Sequence, residues 1–188
     1  RVGCCTTSRF LSIAAERITM KWIFAYGSLM WRPGFEYDEK CLGTLQGYHR
    51  EFNKASIQRW GTPEQPAPTL GIEEGGSATG IVYSVPGEDL DIVMEYLRER
   101  EGEGFDFPEC SVTLSDGREV TAVVAVNDHD ASYIGDRSMT ERAAMAVRAT
   151  GEAGTGIEYV LNTAEKIAAC GITDEHVSEL AALVQQKA

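Results

Sequence analysis

The spacing of apolar residues changes along this chain, and the order of the spacings separates a strand-rich first part from a helical last part. Lys21-Trp22-Ile23-Phe24-Ala25 is aromatic and apolar and stops at Gly27 and Ser28, which predicts a buried strand running into a tight turn. Residues 41–52 have strand character broken by glycines. Residues 58–69 contain Gly61, Pro63, Pro66 and Pro68 and predict a long irregular loop, a kind of connection that compact domains often reserve for function. A further strand is expected over Thr79–Val85, entered through Gly75-Gly76.

From Glu88 to Glu101 the period becomes helical, with Leu90, Val93, Met94 and Leu97 at i, i+3, i+4 and i+7. Val112 and Leu114 then alternate with polar neighbours. Asp116-Gly117 is a hairpin signal, and residues 120–126 return as a strand. Ser138, with Glu141 three positions on, forms a capping box for a helix through about Ala149. Residues 157–170 read as a helix stopped by Gly171, and Thr173 can cap a last helix ending near Lys187. Strands first, helices last and one helix between them predict a mixed α+β domain.

A chain of 188 residues is long enough for one domain with its own core. Its net charge of −12 argues against a nucleic-acid surface, which needs clustered Lys and Arg, and against adhesion to anionic membrane. No apolar stretch approaches the length of a membrane span. Cys4, Cys5, Cys41, Cys110 and Cys170 are odd in number and scattered, without a CxxC, and read as free cytosolic thiols. His49, His129 and His176 are far apart in sequence and give no support to a metal triad. Residues 1–19 read as an extension outside the fold, with Met20 as the natural start and residues 20–188 as the single domain; a targeting peptide is the alternative.

Two features could carry chemistry. At about 100° per residue, Glu101 falls eleven positions after Leu90 and almost back in line with it, while Glu88, Glu95 and Glu99 fall on the far side. A carboxylate on an apolar face has a raised pKa and can carry protons. The competing reading is a frayed helix end with Glu101 solvated, or a surface ion pair with Arg100. The second feature is Tyr26-Gly27-Ser28-Leu29, where a glycine turn at a strand end can offer several backbone N–H groups to one anion; an ordinary turn is the alternative. A serine-hydrolase elbow is excluded because Met30 stands where its second glycine belongs. Neither a dinucleotide fingerprint nor a P-loop is present.

The run Phe24-Ala25-Tyr26-Gly27-Ser28-Leu29-Met30-Trp31-Arg32-Pro33-Gly34-Phe35 closely resembles the opening motif of the ChaC-type, glutathione-specific γ-glutamylcyclotransferases. The similarity continues through Gly47-Tyr48-His49-Arg50, Phe52, Ser56, Gly61-Thr62-Pro63, Leu70-Gly71-Ile72, Gly75-Gly76-Ser77 and Gly80-Ile81-Val82-Tyr83. It then runs through Tyr96-Leu97, Arg100-Glu101, Tyr133-Ile134-Gly135 and Gly156-Ile157-Glu158-Tyr159. The resemblance implies the γ-glutamylcyclotransferase-like fold, a small mixed β-barrel with packed helices and a helical C-terminal part. It implies a carbon–nitrogen lyase that releases 5-oxoproline and Cys-Gly from glutathione in the cytoplasm, with no metal or organic cofactor. It makes Glu101 the catalytic acid/base, and Ala25, Tyr26, Gly27, Ser28, Leu29 and Met30 the substrate-binding loop. Arg32, Arg50 and Arg59 are candidate anchors for an anionic substrate.

The chain departs from the family at Arg59-Trp60, where members commonly carry His-Arg, at Pro66-Ala67-Pro68, and at Gly102-Glu103-Gly104-Phe105. Two alternatives therefore stand beside glutathione cleavage: action on other γ-glutamyl peptides or amines, and non-catalytic binding of γ-glutamyl metabolites.

Overall fold

Two strands longer than the apolar pattern predicts dominate the molecule. The computed structural model describes residues 19–102, 104–128 and 132–188. In chain order the elements are β1 (Met20–Ala25), β2 (Glu39–Ser56), β3 (Ala67–Pro86), α1 (Leu90–Glu101), β4 (Phe105–Asp106), β5 (Glu109–Leu114), β6 (Glu119–Val124) and β7 (Val126–Asn127). They continue with α2 (Met139–Arg148), β8 (Thr150–Gly151), β9 (Gly154–Thr155), α3 (Gly156–Ala169) and α4 (Glu175–Lys187). The expected extension lies outside the described residues except for Thr19, as do Cys4, Cys5 and His129.

Five strands close a barrel in the order β1-β3-β2-β5-β6. Neighbours are antiparallel except at the closure, where β1 and β6 run parallel with Phe24 opposite Val124. Phe24, Leu45, Val82, Val112 and Val124 are completely buried. Each such side chain contributes about 1.5–3 kcal/mol relative to exposure.

Gly75 and Gly76 are not an entry turn. They lie inside a continuous β3, opposite a register slip between Gln46 and Tyr48 of β2. The backbone ladder carries both strands through polar segments that apolar alternation does not reveal. The prolines of the expected loop fall mainly in residues 57–66, between the two long strands.

The last three helices pack on one another; α2 and α3 touch β3, and α4 touches β2. Their starts are chemically determined. The Ser138 hydroxyl accepts the Glu141 N–H while the Glu141 carboxylate accepts the Ser138 N–H, as the sequence pattern predicts. Thr155 and Glu158 repeat the device at α3. For α4 the cap is Asp174 rather than Thr173: the Asp174 carboxylate accepts the Val177 N–H at 3.1 Å. That carboxylate also stands 3.3 Å from Nη1 of Arg50, tying α4 to the barrel. His176 Nε2 accepts the Phe52 N–H at 2.9 Å, and its ring stacks on Phe52.

Candidate active site

The last turn of α1 meets the segment that follows β1, where Arg100 bonds Ser28, Arg32 and Pro33. Val93, Met94 and Leu97 are buried while Glu88, Glu95 and Glu99 are exposed, so the helix phase is the one its sequence predicts. The helix does not fray before Glu101. Gly102 follows with φ +77°, a conformation that costs glycine little, and its N–H closes on the Arg98 carbonyl at 3.0 Å. The Glu101 side chain keeps 22% of its surface, recessed but reachable by solvent. Burial pushes its carboxyl pKa up, against the opposing charges of Arg100, Arg59 and Lys54.

Arg100 is no surface residue; its side chain is 3% exposed. It turns inward and donates from Nη2 to Ser28 Oγ (2.8 Å), and from Nη1 to the carbonyls of Arg32 (2.6 Å) and Pro33 (3.3 Å) and to the Tyr96 hydroxyl (2.6 Å). Gly34, with φ +77°, passes so close to Tyr96 that a β-carbon there would collide with the tyrosine hydroxyl. Arg100 Nε lies 3.5 Å from Glu101 Oε1.

The turn after β1 has its carbonyls drawn into the fold. The Tyr26 carbonyl accepts from Arg50 Nε (2.7 Å), that of Gly27 from the Met30 N–H (2.9 Å), that of Ser28 from the Arg32 N–H (3.0 Å), and that of Leu29 from the Tyr83 hydroxyl (3.1 Å). Ser28–Met30 form a single 3-10 turn, whose first amides have no acceptor within the turn. The side chains of Ala25, Leu29 and Met30 are in the core, so these residues offer the site only their backbone.

Of the three arginines, Arg50 is consumed by the fold, holding the Tyr26 and Thr79 carbonyls and Asp174. Arg32 is exposed. Arg59 is half-buried, and its charge reaches Glu101.

Sequence reasoning did not assign roles to Tyr159 and Trp60. Tyr159 rises from α3 beneath the turn. Its hydroxyl accepts the Leu70 N–H at 3.0 Å and would lie 3.6 Å from a β-carbon at Gly27. Burial raises the Tyr159 pKa, with the Glu101 charge adding to it; burial and then Glu101 also raise that of Tyr26, whose hydroxyl donates to the Ala125 carbonyl. Trp60 packs on Tyr159 with ring centres 5.2 Å apart. No local pattern marks these residues, since each acts across a sequence gap that only folding closes. Among the described residues no group of three or more His, Cys, Asp or Glu could hold a metal ion.

A mixed five-stranded barrel with packed helices is the fold of the γ-glutamylcyclotransferases. The crystal structure of the glutathione-specific γ-glutamyl cyclotransferase from yeast superposes with a TM-score of 0.84 at 22% identity, covering 89% of this chain and 96% of that one. The family model for ChaC-like proteins matches residues 21–187, and the chain belongs to that family. The glutathione-specific γ-glutamylcyclotransferase of Escherichia coli is 36% identical over 168 residues, 88% of this chain and 73% of that protein. γ-Glutamylcyclotransferase 2-1 of Arabidopsis thaliana is 33% identical, over 88% of this chain and 82% of its own. Human glutathione-specific γ-glutamylcyclotransferase 1 is 32% identical, over 85% of this chain and 76% of its own.

Proposed function

We propose that this chain cleaves glutathione into 5-oxoproline and Cys-Gly by cyclising the γ-glutamyl group. The observation that carries the reading is Glu101, a solvent-reachable carboxyl with a raised pKa, coupled through Arg100 to the turn at Ser28. The substrate's α-amine attacks its own γ-carbonyl carbon, a C–N bond forms in a five-membered ring, and the C–N bond to cysteine breaks. Both partners belong to one molecule, so holding it folded supplies much of the rate. Two protons leave the attacking ammonium and two arrive on the departing nitrogen. The reaction is therefore proton-neutral, and one carboxyl can ferry protons in turn. A carboxyl pKa moved toward neutrality suits both directions of transfer.

The amides of the 26–30 turn would hold the substrate's α-carboxylate or the developing oxyanion. The Tyr159 hydroxyl supplies a further polar group beneath them. Arg59 is the anchor for a carboxylate at the far end of the substrate, because Arg50 is engaged and Arg32 faces outward. The described cysteines Cys41, Cys110 and Cys170 are free, which suits the reducing cytoplasm where glutathione is abundant. No helix of the described residues is long and apolar enough to cross a membrane.

The test is incubation with glutathione, other γ-glutamyl peptides and γ-glutamylamines, with 5-oxoproline measured by mass spectrometry. Turnover of glutathione is expected. Turnover of the other compounds alone would transfer the reading to them, as the Arg59-Trp60 departure allows. Binding without product would end the enzymatic reading.

A further inference from the structure

Neighbouring residues on a helix point about 100° apart and do not normally meet. Arg100 and Glu101 do meet, because Glu101 is the final helical residue and Gly102 turns the chain away behind it. Arg100 spends its two terminal nitrogens on four acceptors, three of them in the segment that follows β1: Ser28 Oγ and the carbonyls of Arg32 and Pro33. Its remaining nitrogen, Nε, is buried without a hydrogen-bond partner and stands 3.5 Å from the Glu101 carboxylate. A guanidinium is a rigid planar fork, so the orientation set by Ser28, Arg32 and Pro33 also sets where Nε faces.

We infer that Arg100 is a positioning residue whose single guanidinium fixes the distance between the proton-carrying carboxyl and the substrate-holding turn. The inference rests on the function proposed above. It assigns Arg100 two separable tasks. The fork holds the turn, which governs substrate binding. The charge at Nε favours ionised Glu101, which governs the pH at which the base becomes available. The other groups facing Glu101 are Lys54 of β2, Arg59 of the 57–66 loop, Tyr26 just after β1 and Tyr159 of α3.

Three variants separate the tasks. Arg100→Lys keeps a positive charge but cannot span Ser28 and the two carbonyls. It is expected to raise KM about tenfold, the effect of losing a charge-assisted hydrogen bond, while leaving the acid limb of the kcat/KM profile in place. Arg100→Met removes both and is expected to raise KM and also move the acid limb to higher pH, because burial then acts on Glu101 with one less opposing charge. Ser28→Ala removes only one acceptor. It is expected to raise KM with the acid limb unchanged and the Tm a few degrees lower, because Nη2 loses its acceptor; a KM effect without a moved acid limb separates the turn-holding task from the charge. An acid limb that stays put in Arg100→Met overturns the inference. So does a Ser28→Ala enzyme with wild-type KM, and this variant decides the matter should Arg100→Met fail to fold. Carbon-13 NMR titration of the Glu101 carboxyl in wild type and Arg100→Lys reads the charge coupling without turnover; near-equal midpoints are expected, and a large upward move in the lysine variant overturns the inference. A wild type that makes no 5-oxoproline but shows this titration behaviour defeats the proposed function and not the coupling.

Discussion

Glu101→Gln replaces one carboxyl oxygen by an amide nitrogen at nearly constant volume, so it tests chemistry with little change in packing. If Glu101 moves protons in both halves of the reaction, the variant loses general acid–base catalysis, worth about 10²–10⁴-fold in rate. That corresponds to about 2.7–5.4 kcal/mol of barrier. Stability is expected to move the other way. Burial raises the Glu101 pKa in the folded state, so between the ordinary glutamate value of 4.5 and the folded value the native protein binds more protons than the unfolded chain. The wild type therefore has its full stability below 4.5 and loses part of it as pH rises through the folded value. Glutamine has no such dependence. The variant should melt at the same temperature as wild type or higher at pH 7, with a gap that narrows toward pH 4.5; each kcal/mol is about 2–4 °C in a chain of this size. The assays are 5-oxoproline release from glutathione across pH 5–9 and calorimetry over the same range. A folded Glu101→Gln protein that turns over within tenfold of wild type would refute the reasoning.

Arg59→Gln should lower kcat/KM for glutathione by about 10–100-fold yet have little effect on the glutathione analogue with a C-terminal amide; equal losses on the two compounds would remove Arg59 as the carboxylate anchor. Asp174→Ala strips α4 of its cap and Arg50 of its partner, and should cost about 3 kcal/mol or more in urea unfolding. Asp174→Asn keeps an oxygen for the Val177 N–H and should cost less, and an identical loss would argue against the cap. His176 is held neutral by the Phe52 N–H on Nε2, and burial lowers its pKa. Below about 6.5 the unfolded chain takes up the proton first, so this residue's contribution to stability is full above that pH and falls as pH drops toward the folded value. Denaturation at pH 8 and pH 5.5 should show a smaller acid loss in His176→Gln than in wild type, and an equal loss would contradict it.

Much of the fold is legible in the sequence because its signals are local. The Ser138–Glu141 pair marks the start of α2, the 90–97 stripe sets the phase of α1, and Gly171, with φ +72°, follows the end of α3. The strands are less legible. β2 runs on past the expected Phe52 to Ser56, and β3 passes through Glu73-Glu74, on ladder hydrogen bonds that leave no apolar trace, so their length depends on the partner strand.

The helix phase of the sequence was enough to turn Glu101 toward the apolar side, and the glycine and serine after β1 were enough to predict a turn. Which cations would accompany them was decided by the tertiary structure. Arg50, Arg59 and Arg100 look alike in a sequence. Folding spends the first on distant carbonyls and Asp174, leaves the second half-buried within reach of Glu101, and buries the third between Glu101 and the turn. The physical reason is that desolvating a charge is tolerable only where partners wait, and those partners come from segments tens of residues apart, brought together by closure of the barrel.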